Sequence, residues 1–380
     1  MAYWIINSLI VFALCVLLAG VLIPQILLIA YRRKLFDEVD ERKIHKGLIP
    51  RLGGIAFVPV ILLSIALTIA ANIISGSPQF GNVFFNNSLL MIALFCSLQL
   101  LYLVGIADDL IGIKYRAKFV VQIVCAVLLI GAGCWFTTLA GSLGIENMPS
   151  WMGMPFTAIV IVFIINAMNL IDGIDGLASG LSSIATGIYG ISFLLLGEYA
   201  YAIISLASLG VLCPFFYYNV FGDVKKHSKI FMGDTGSLTI GLILSMLGIK
   251  LFTHPYDPVL NFQPAVLAFS PLIIPSFDVL RVYMVRIRQH RSPFLPDKNH
   301  IHHKFLAAGM NPRTAMVTII TISTLFTLIN LGLSRMLNIN IIVMLDVIIW
   351  LIFNSYLNAH IRRHKEAEAE AEARSAKKNH

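Results

Sequence analysis

Asn166, Asn169, Asp172 and Asp175 recur every three residues in NAMNLIDGIDG. On a helix that spacing makes a slowly drifting row along one face. Amides and carboxylates in such a row, at the end of an apolar run, are costly beside lipid, so a functional site is the default reading. Gly173 and Gly176 would loosen the turn and let backbone come close to a ligand. Asp108 and Asp109 close another apolar run and precede Lys114, Arg116 and Lys118. Adjacent carboxylates repel, so a cation or a transferred proton would help hold them; the plainer alternative is a structural pair neutralised by those basic residues. In KIFMGDTGSLTIG, Asp234 stands where an apolar helix begins, a place with free N–H groups and a positive dipole end. Alone it would be a simple N-cap; beside the other clusters it reads as a metal ligand near a phosphate. SPFLPDKNHIHHKF holds Asp297, Lys298, His300, His302 and His303. Such histidines suit zinc, phosphate contact or acid–base work, although HxHH is not a zinc-finger spacing. Finally, DEVDERKIHKGLIPRLGG mixes Asp40, Arg42, Lys43, His45, Lys46 and Arg51 before Gly53 and Gly54. It is either a basic membrane anchor or a set of groups that meets a phosphorylated ligand.

Carboxylate and amide oxygens are hard donors that suit Mg²⁺ or Mn²⁺, and Mg²⁺ commonly combines a carboxylate or two with substrate phosphates. Acids, bases and histidines together therefore point to phosphoryl transfer, with a diphosphate as the metal-bridged group.

The elements that must position these residues are membrane helices. Of 380 residues, 58% are hydrophobic and only 13% charged, with a mean hydropathy of +0.82. That leaves too little charge for a soluble surface, so the solvent is lipid. A spanning helix needs about 20 apolar residues. Such runs lie near 4–31, 54–74, 87–107, 118–135, 153–171, 177–195, 199–219, 236–252, 264–285, 314–333 and 339–359. The fold class is thus all-α and polytopic, with about eleven transmembrane helices and the termini on opposite sides. The first run is too long for a signal peptide and is followed, not preceded, by basic residues. Loops 32–53, 108–118, 220–235 and 286–313, the tail from 360, and Arg281 hold 26 of the 28 Lys and Arg residues. The positive-inside rule makes their face cytoplasmic, so the N-terminus is outside and the C-terminus cytoplasmic. All five polar clusters fall on that face. The lipid setting suggests that one substrate is a lipid. The net charge of +8 is then a topology signal, with no nucleic acid implied. Residues 1–359 read as a single membrane-embedded domain and 360–380 as a charged, solvated tail. The five cysteines sit in or beside apolar runs without metal-like spacing and read as small buried hydrophobes.

Taken in order, DERKIHKGLIPRLGG, DD, NAMNLIDGIDGLA, FMGDTGS and HIHH resemble the polyprenyl-phosphate N-acetylhexosamine-1-phosphate transferase family, over most of the chain. The resemblance implies a reaction in which a polyprenyl phosphate attacks the β-phosphate of a UDP-N-acetyl sugar, UMP leaves, and magnesium is required. It also implies roles. Asp234 is the metal ligand, with Asn169 or Asp172 as helper. Asp108 is the base or the positioning group for the lipid phosphate, with Asp109 beside it; an aspartyl-phosphate intermediate is the alternative. Lys118 contacts the diphosphate, Asp175 and Phe231 the uridine, and His300, His302 and His303 the nucleotide or sugar phosphates. Asn166 is counted with the substrate-binding residues, and Lys46 matches a basic position before the glycine pair. The segment GDVKKHSK is longer than the compact loop of muramoyl-pentapeptide members, which puts a nucleoside role for Asn219 in doubt. SPFLPDKN resembles the GlcNAc-1-phosphate branch. The expected activity is therefore transfer of GlcNAc 1-phosphate to undecaprenyl phosphate in the bacterial cytoplasmic membrane, initiating a lipid-linked surface glycan such as O-antigen. The muramoyl-pentapeptide reaction is the alternative, and a homodimer is left open.

An ion-coupled transporter is the rival from another class, since membrane Asp and Asn can bind ions at mid-depth. Here the polar groups gather at one edge. Asp278, near that edge, reads as support for the site, and Asp346 as an interhelical hydrogen bond. A CDP-alcohol phosphotransferase would need an acidic pair downstream of Asp175-Gly176, which LASG does not begin.

Overall fold

The computed structural model describes residues 1–36, 49–290 and 299–378, all helix, turn or irregular, with no strand among them. The helices are α1 (Ala2–Arg33), α2 (Phe57–Ile74), α3 (Gln79–Asn86), α4 (Ser88–Ile111), α5 (Tyr115–Gly131), α6 (Ser150–Ile171), α7 (Leu177–Leu196), α8 (Tyr199–Phe221), α9 (Gly233–Phe252), α10 (Pro264–Phe269), α11 (Ile273–Arg288), α12 (Ile301–Ala307), α13 (Pro312–Leu333) and α14 (Ile339–Lys378). Ten stretches are long and apolar enough to cross a membrane. The α10–α11 crossing is interrupted by a 3₁₀ turn at Ser270–Leu272, where Pro271 lacks the N–H a continuous helix needs.

The remaining expected span, 118–135, is α5, only 17 residues long. It stops early because Gly133 adopts φ +84°. Gly133 N then returns to Ile130 O and Cys134 N to Leu129 O, the bond pair of a Schellman end. Its ends nevertheless reach both faces. Lys118 in its first turn meets Asp234 at the start of α9, and the Gly133 carbonyl past its end accepts from Lys250, near the end of α9, at 3.2 Å. Short as it is, α5 makes the same crossing as α9.

The second face is marked by polar contacts of its own. Tyr3 donates to Asn72 at 2.8 Å, beyond the middle of α2, Trp4 stacks on Tyr199, and the Leu143 amide donates to Asn340 at 2.8 Å. The N-terminus and the start of α14 therefore lie opposite the Lys118 end of α5. From Ile339 the last helix runs unbroken to Lys378, so no backbone break marks the expected domain edge at 359.

At the centre stands α9, nearly all of it buried, against α4, α6 and α7. Its hydroxyls bond within the helix, Ser237 to Gly233 O at 3.0 Å and Thr239 to Thr235 O at 2.6 Å, which satisfies them where no water is available. Outward faces carry exposed Leu17, Leu103 and Ile159, as lipid contact requires. Cys15, Cys125 and Cys134 are buried as expected, whereas Cys96 and Cys213 lie exposed.

Small residues let backbones touch, as is common between membrane helices. A Cβ on Gly54 would lie 2.1 Å from the Gly236 nitrogen in the first turn of α9. Gly54→Ala must push these backbones apart, and overpacking costs about 1–3 kcal/mol or more. The expected outcome is a lower melting temperature in detergent. An unchanged melting temperature, with unchanged activity, would mean that the contact is slack.

Candidate active site

The site begins where the ends of α4, α5 and α9 meet. Asp108 and Asp109 close α4, and helical rotation sends them to different partners. Asp108 Oδ1 accepts from Ile113 N at 2.7 Å and Oδ2 lies 3.1 Å from Lys118 Nζ. Asp109 accepts from the Asp234 amide (2.7 Å), the Thr235 amide (3.0 Å) and the Thr235 hydroxyl (2.6 Å). It thus caps α9 from another helix, with its carboxyl group set against that helix's positive end. Lys118 is the cation the acids share: its ammonium is also 2.7 Å from Asp234 Oδ2. Of the expected DD pair, Asp108 stays with Lys118, while both Asp109 oxygens are engaged by α9.

The asparagine row on α6 faces the same point. Asn166 Nδ2 donates to Gln122 Oε1 on α5 at 2.6 Å, and Asn169 Nδ2 to Ser237 Oγ on α9 at 2.9 Å. Asn169 also hydrogen-bonds Asp234. Just past α6, the Asp172 carboxylate accepts no hydrogen bond from a described residue. Burial pushes its pKa well above the usual carboxylate range; the Arg51 charge opposes that, and the Asp234, Asp175 and Asp109 charges add to it. Asp175 pairs with Lys229 at 2.5 Å. Asn219 holds this turn in place, accepting from Gly176 N at 2.6 Å and donating to Ile230 O at 2.8 Å. Each end of its amide thus bonds backbone.

Residues 50–54 are laced to 231–232. Phe231 N donates to Pro50 O, Gly53 N to Phe231 O and Gly54 N to Met232 O, each at 2.9 Å. Arg51 and Phe231, far apart in sequence, thereby border the same turn of α9. Lys46, with Asp40, Arg42, Lys43 and His45, lies outside the described residues, as do Asp297 and Lys298.

The histidines close the site from α12. His300 and His302 are buried and their rings are parallel at 5.8 Å; His303 is half-buried and 4.2 Å from His302. The His302 ring sits on Gly173, where a Cβ would fall 2.1 Å from Nε2. Glycine is thus required here by the histidine, and the contact brings the HIHH and DGIDG motifs together. Burial, with the His303 and His300 charges, pushes the His302 pKa down to about 3, so this ring is neutral at physiological pH.

All the expected site residues that are described converge on this face. Sequence reasoning did not single out Gln122, Lys229, Thr235 or Ser237. Gln122 lies one turn beyond Lys118, and that spacing was the available signal. Lys229 opens the KIFMGDTGSLTIG motif and ends GDVKKHSK, but carried no role of its own there.

Fold and site together define a polytopic all-α membrane protein with acidic and basic side chains gathered on one face. The sequence profile of glycosyl transferase family 4 matches residues 90–252. The chain is 30% identical over 327 residues to the "Probable undecaprenyl-phosphate N-acetylglucosaminyl 1-phosphate transferase" of Bacillus subtilis (strain 168), covering 85% of this chain and 84% of that protein. It is 31% identical over 309 residues to the undecaprenyl-phosphate alpha-N-acetylglucosaminyl 1-phosphate transferase of Yersinia pestis, covering 79% and 77%. With the decaprenyl-phosphate N-acetylglucosaminephosphotransferase of Mycolicibacterium smegmatis it shares 32% identity over 297 residues, covering 73% and 70%. The chain belongs to the polyprenyl-phosphate N-acetylhexosamine-1-phosphate transferase family and is an enzyme of the phosphotransferase type.

Proposed function

We propose that this enzyme transfers GlcNAc 1-phosphate from UDP-GlcNAc to undecaprenyl phosphate, releasing UMP, and so starts a lipid-linked glycan on the cytoplasmic face of a bacterial membrane. The observation that carries the reading is Lys118, held between Asp108 and Asp234 at 3.1 and 2.7 Å. One ammonium between two acids, with the Asp172 carboxylate within their field, suits a site that gathers two phosphorylated substrates.

The donor set fits Mg²⁺. Asp234, Asp172 and the Asn169 amide oxygen are hard ligands, and no three His, Cys, Asp or Glu side chains among the described residues form a cation cage of their own. A cation held by those ligands would need substrate phosphates to complete its shell and would neutralise charge on the diphosphate. The protein groups do the rest. Lys118 would meet the diphosphate, Asp108 would position the lipid phosphate, and Phe231 and Asp175 would receive the uridine, Lys229 yielding Asp175 to it. A phosphate monoester is mostly ionised at neutral pH, with a second pKa of about 6, so the acceptor needs placement more than deprotonation.

The test is label transfer by purified enzyme from several UDP-sugars to undecaprenyl phosphate, with and without Mg²⁺. UDP-GlcNAc is expected to be used best, and only with the cation. Preferred use of UDP-MurNAc-pentapeptide, or uptake of unconverted substrate into proteoliposomes, would replace the proposal.

Orientation has its own test. Lys225 lies in the exposed loop between α8 and α9, and Ser77 lies next to the Tyr3 face. In intact cells an impermeant thiol reagent is expected to label Ser77→Cys and spare Lys225→Cys. The reverse pattern would invert the membrane topology.

A further inference from the structure

Asp278 lies in α11, outside all five sequence clusters, yet it is fully buried, with 0% of its surface exposed. Its carboxylate is saturated. Oδ2 is 2.8 Å from His300 Nδ1, while Oδ1 accepts from the Ile301 amide at 2.9 Å and from Arg281 at 2.7 Å. Arg281 in turn holds the Asn299 carbonyl. One side chain of α11 thus fixes the residues on which α12 begins, and His300, the residue preceding that helix, makes no side-chain cap of its own.

The contact does more than anchor a helix. An ionised carboxylate can only accept, so the hydrogen shared with His300 must sit on Nδ1. That leaves Nε2 as the working nitrogen, without a partner among the described residues. It also sets the ring plane, and His302 stacks parallel to it before meeting Gly173 in the Asp172–Asp175 turn. The orientation of the imidazoles beside the acidic turn is therefore inherited from Asp278.

We propose that Asp278 is a positioning residue for the donor substrate: it locks the tautomer and plane of His300 so that Nε2, left as an acceptor, is presented to a hydroxyl or N–H of the UDP-sugar. This rests on the phosphotransferase reading above and adds a residue to it. The same logic operates where a carboxylate orients a functional histidine, and loss of such partners typically costs about 10–100-fold.

Asp278→Asn discriminates positioning from folding. The amide oxygen can still accept from Ile301 N and Arg281, but the amide NH₂ now faces His300 Nδ1 and favours the opposite tautomer. Expected are a near-normal melting temperature, kcat/KM for UDP-GlcNAc reduced about 10–100-fold, and an unchanged KM for undecaprenyl phosphate. His300→Asn, which keeps a short donor toward Asp278 but lacks Nε2, should show the same donor-side loss. The double variant should be no worse than the poorer single one. Wild-type donor kinetics in Asp278→Asn would overturn the proposal, as would penalties that multiply fully in the double variant. Should Asp278→Asn fail to fold, a folded His300→Asn with wild-type kcat/KM would overturn it alone. An inactive wild-type enzyme with every UDP-sugar would instead sink the underlying reading.

Discussion

Asp234→Asn is expected to lower transfer in the presence of Mg²⁺ by about 10²-fold or more, the scale of losing an electrostatic group aimed at the transition state. Asparagine keeps the size of the side chain. The backbone amide at 234 still donates to Asp109, and Thr235 still gives Asp109 two further bonds, so the start of α9 stays capped. Lys118 retains Asp108 at 3.1 Å. What disappears is one negative charge, beside the Asn169 amide and within the field of Asp172. An amide oxygen is a weaker ligand than a carboxylate for a hard divalent cation. The loss should therefore grow as Mg²⁺ is diluted and be only partly recovered at high Mg²⁺. The check is kcat/KM across a Mg²⁺ titration, with a melting curve as the control for folding. Near-normal activity at low Mg²⁺ would show that the ligand is elsewhere.

Asp108→Asn is expected to cut kcat by a similar factor, about 10²-fold, while UDP-sugar binding stays nearly intact. Asp108 touches Lys118 and Ile113 N, whereas the residues assigned to the uridine, Asp175 and Phe231, are held by Lys229 and by the 50–54 segment. The two roles open to Asp108 differ in one measurement. Positioning in a direct displacement needs both substrates bound at once, so nothing should happen without lipid. A nucleophile would form an acyl phosphate with the sugar phosphate and expel UMP from the donor alone. Wild-type enzyme incubated with labelled UDP-GlcNAc and Mg²⁺, then rapidly denatured, should carry no label and release no UMP. A stoichiometric adduct on Asp108, formed and discharged fast enough for turnover, would establish the covalent route. The Asp108 oxygens are already engaged by Lys118 at 3.1 Å and by the Ile113 amide at 2.7 Å, which favours positioning, because a carboxylate with its oxygens so held is a poorer nucleophile.

Much of this arrangement was legible in the chain. Apolar runs have no alternative but to become helices in lipid, because every backbone N–H and C=O must be satisfied within the segment. The positions of the spans and the gathering of the polar clusters at one edge follow from that. Where a run ended was less legible. The 118–135 run looks continuous, but Gly133 can take a left-handed turn that hydropathy does not register. Asp346 was expected to serve an interhelical hydrogen bond and accepts from Asn330 at 2.9 Å.

Roles within the clusters depend on partners that lie far away in sequence. The DD pair gives no sign that Asp109 will be consumed in capping α9 while Asp108 keeps Lys118, since the division depends on the angle between α4 and α9. Lys229 finds Asp175, and Asp278 finds His300, through packing that brings remote segments within hydrogen-bond reach. By itself the sequence determined an all-α membrane protein, its helices, the face that holds the chemistry and the residue types available there, because local propensity and the lack of water in lipid act on each segment separately. The tertiary structure alone decided which carboxylate caps a helix and which faces the lysine, which histidine nitrogen is held, and that separate clusters make one site. Those outcomes depend on distances of 2.5 to 3.1 Å between side chains such as Lys229–Asp175 and Lys118–Asp108, and only the packing of whole helices sets them.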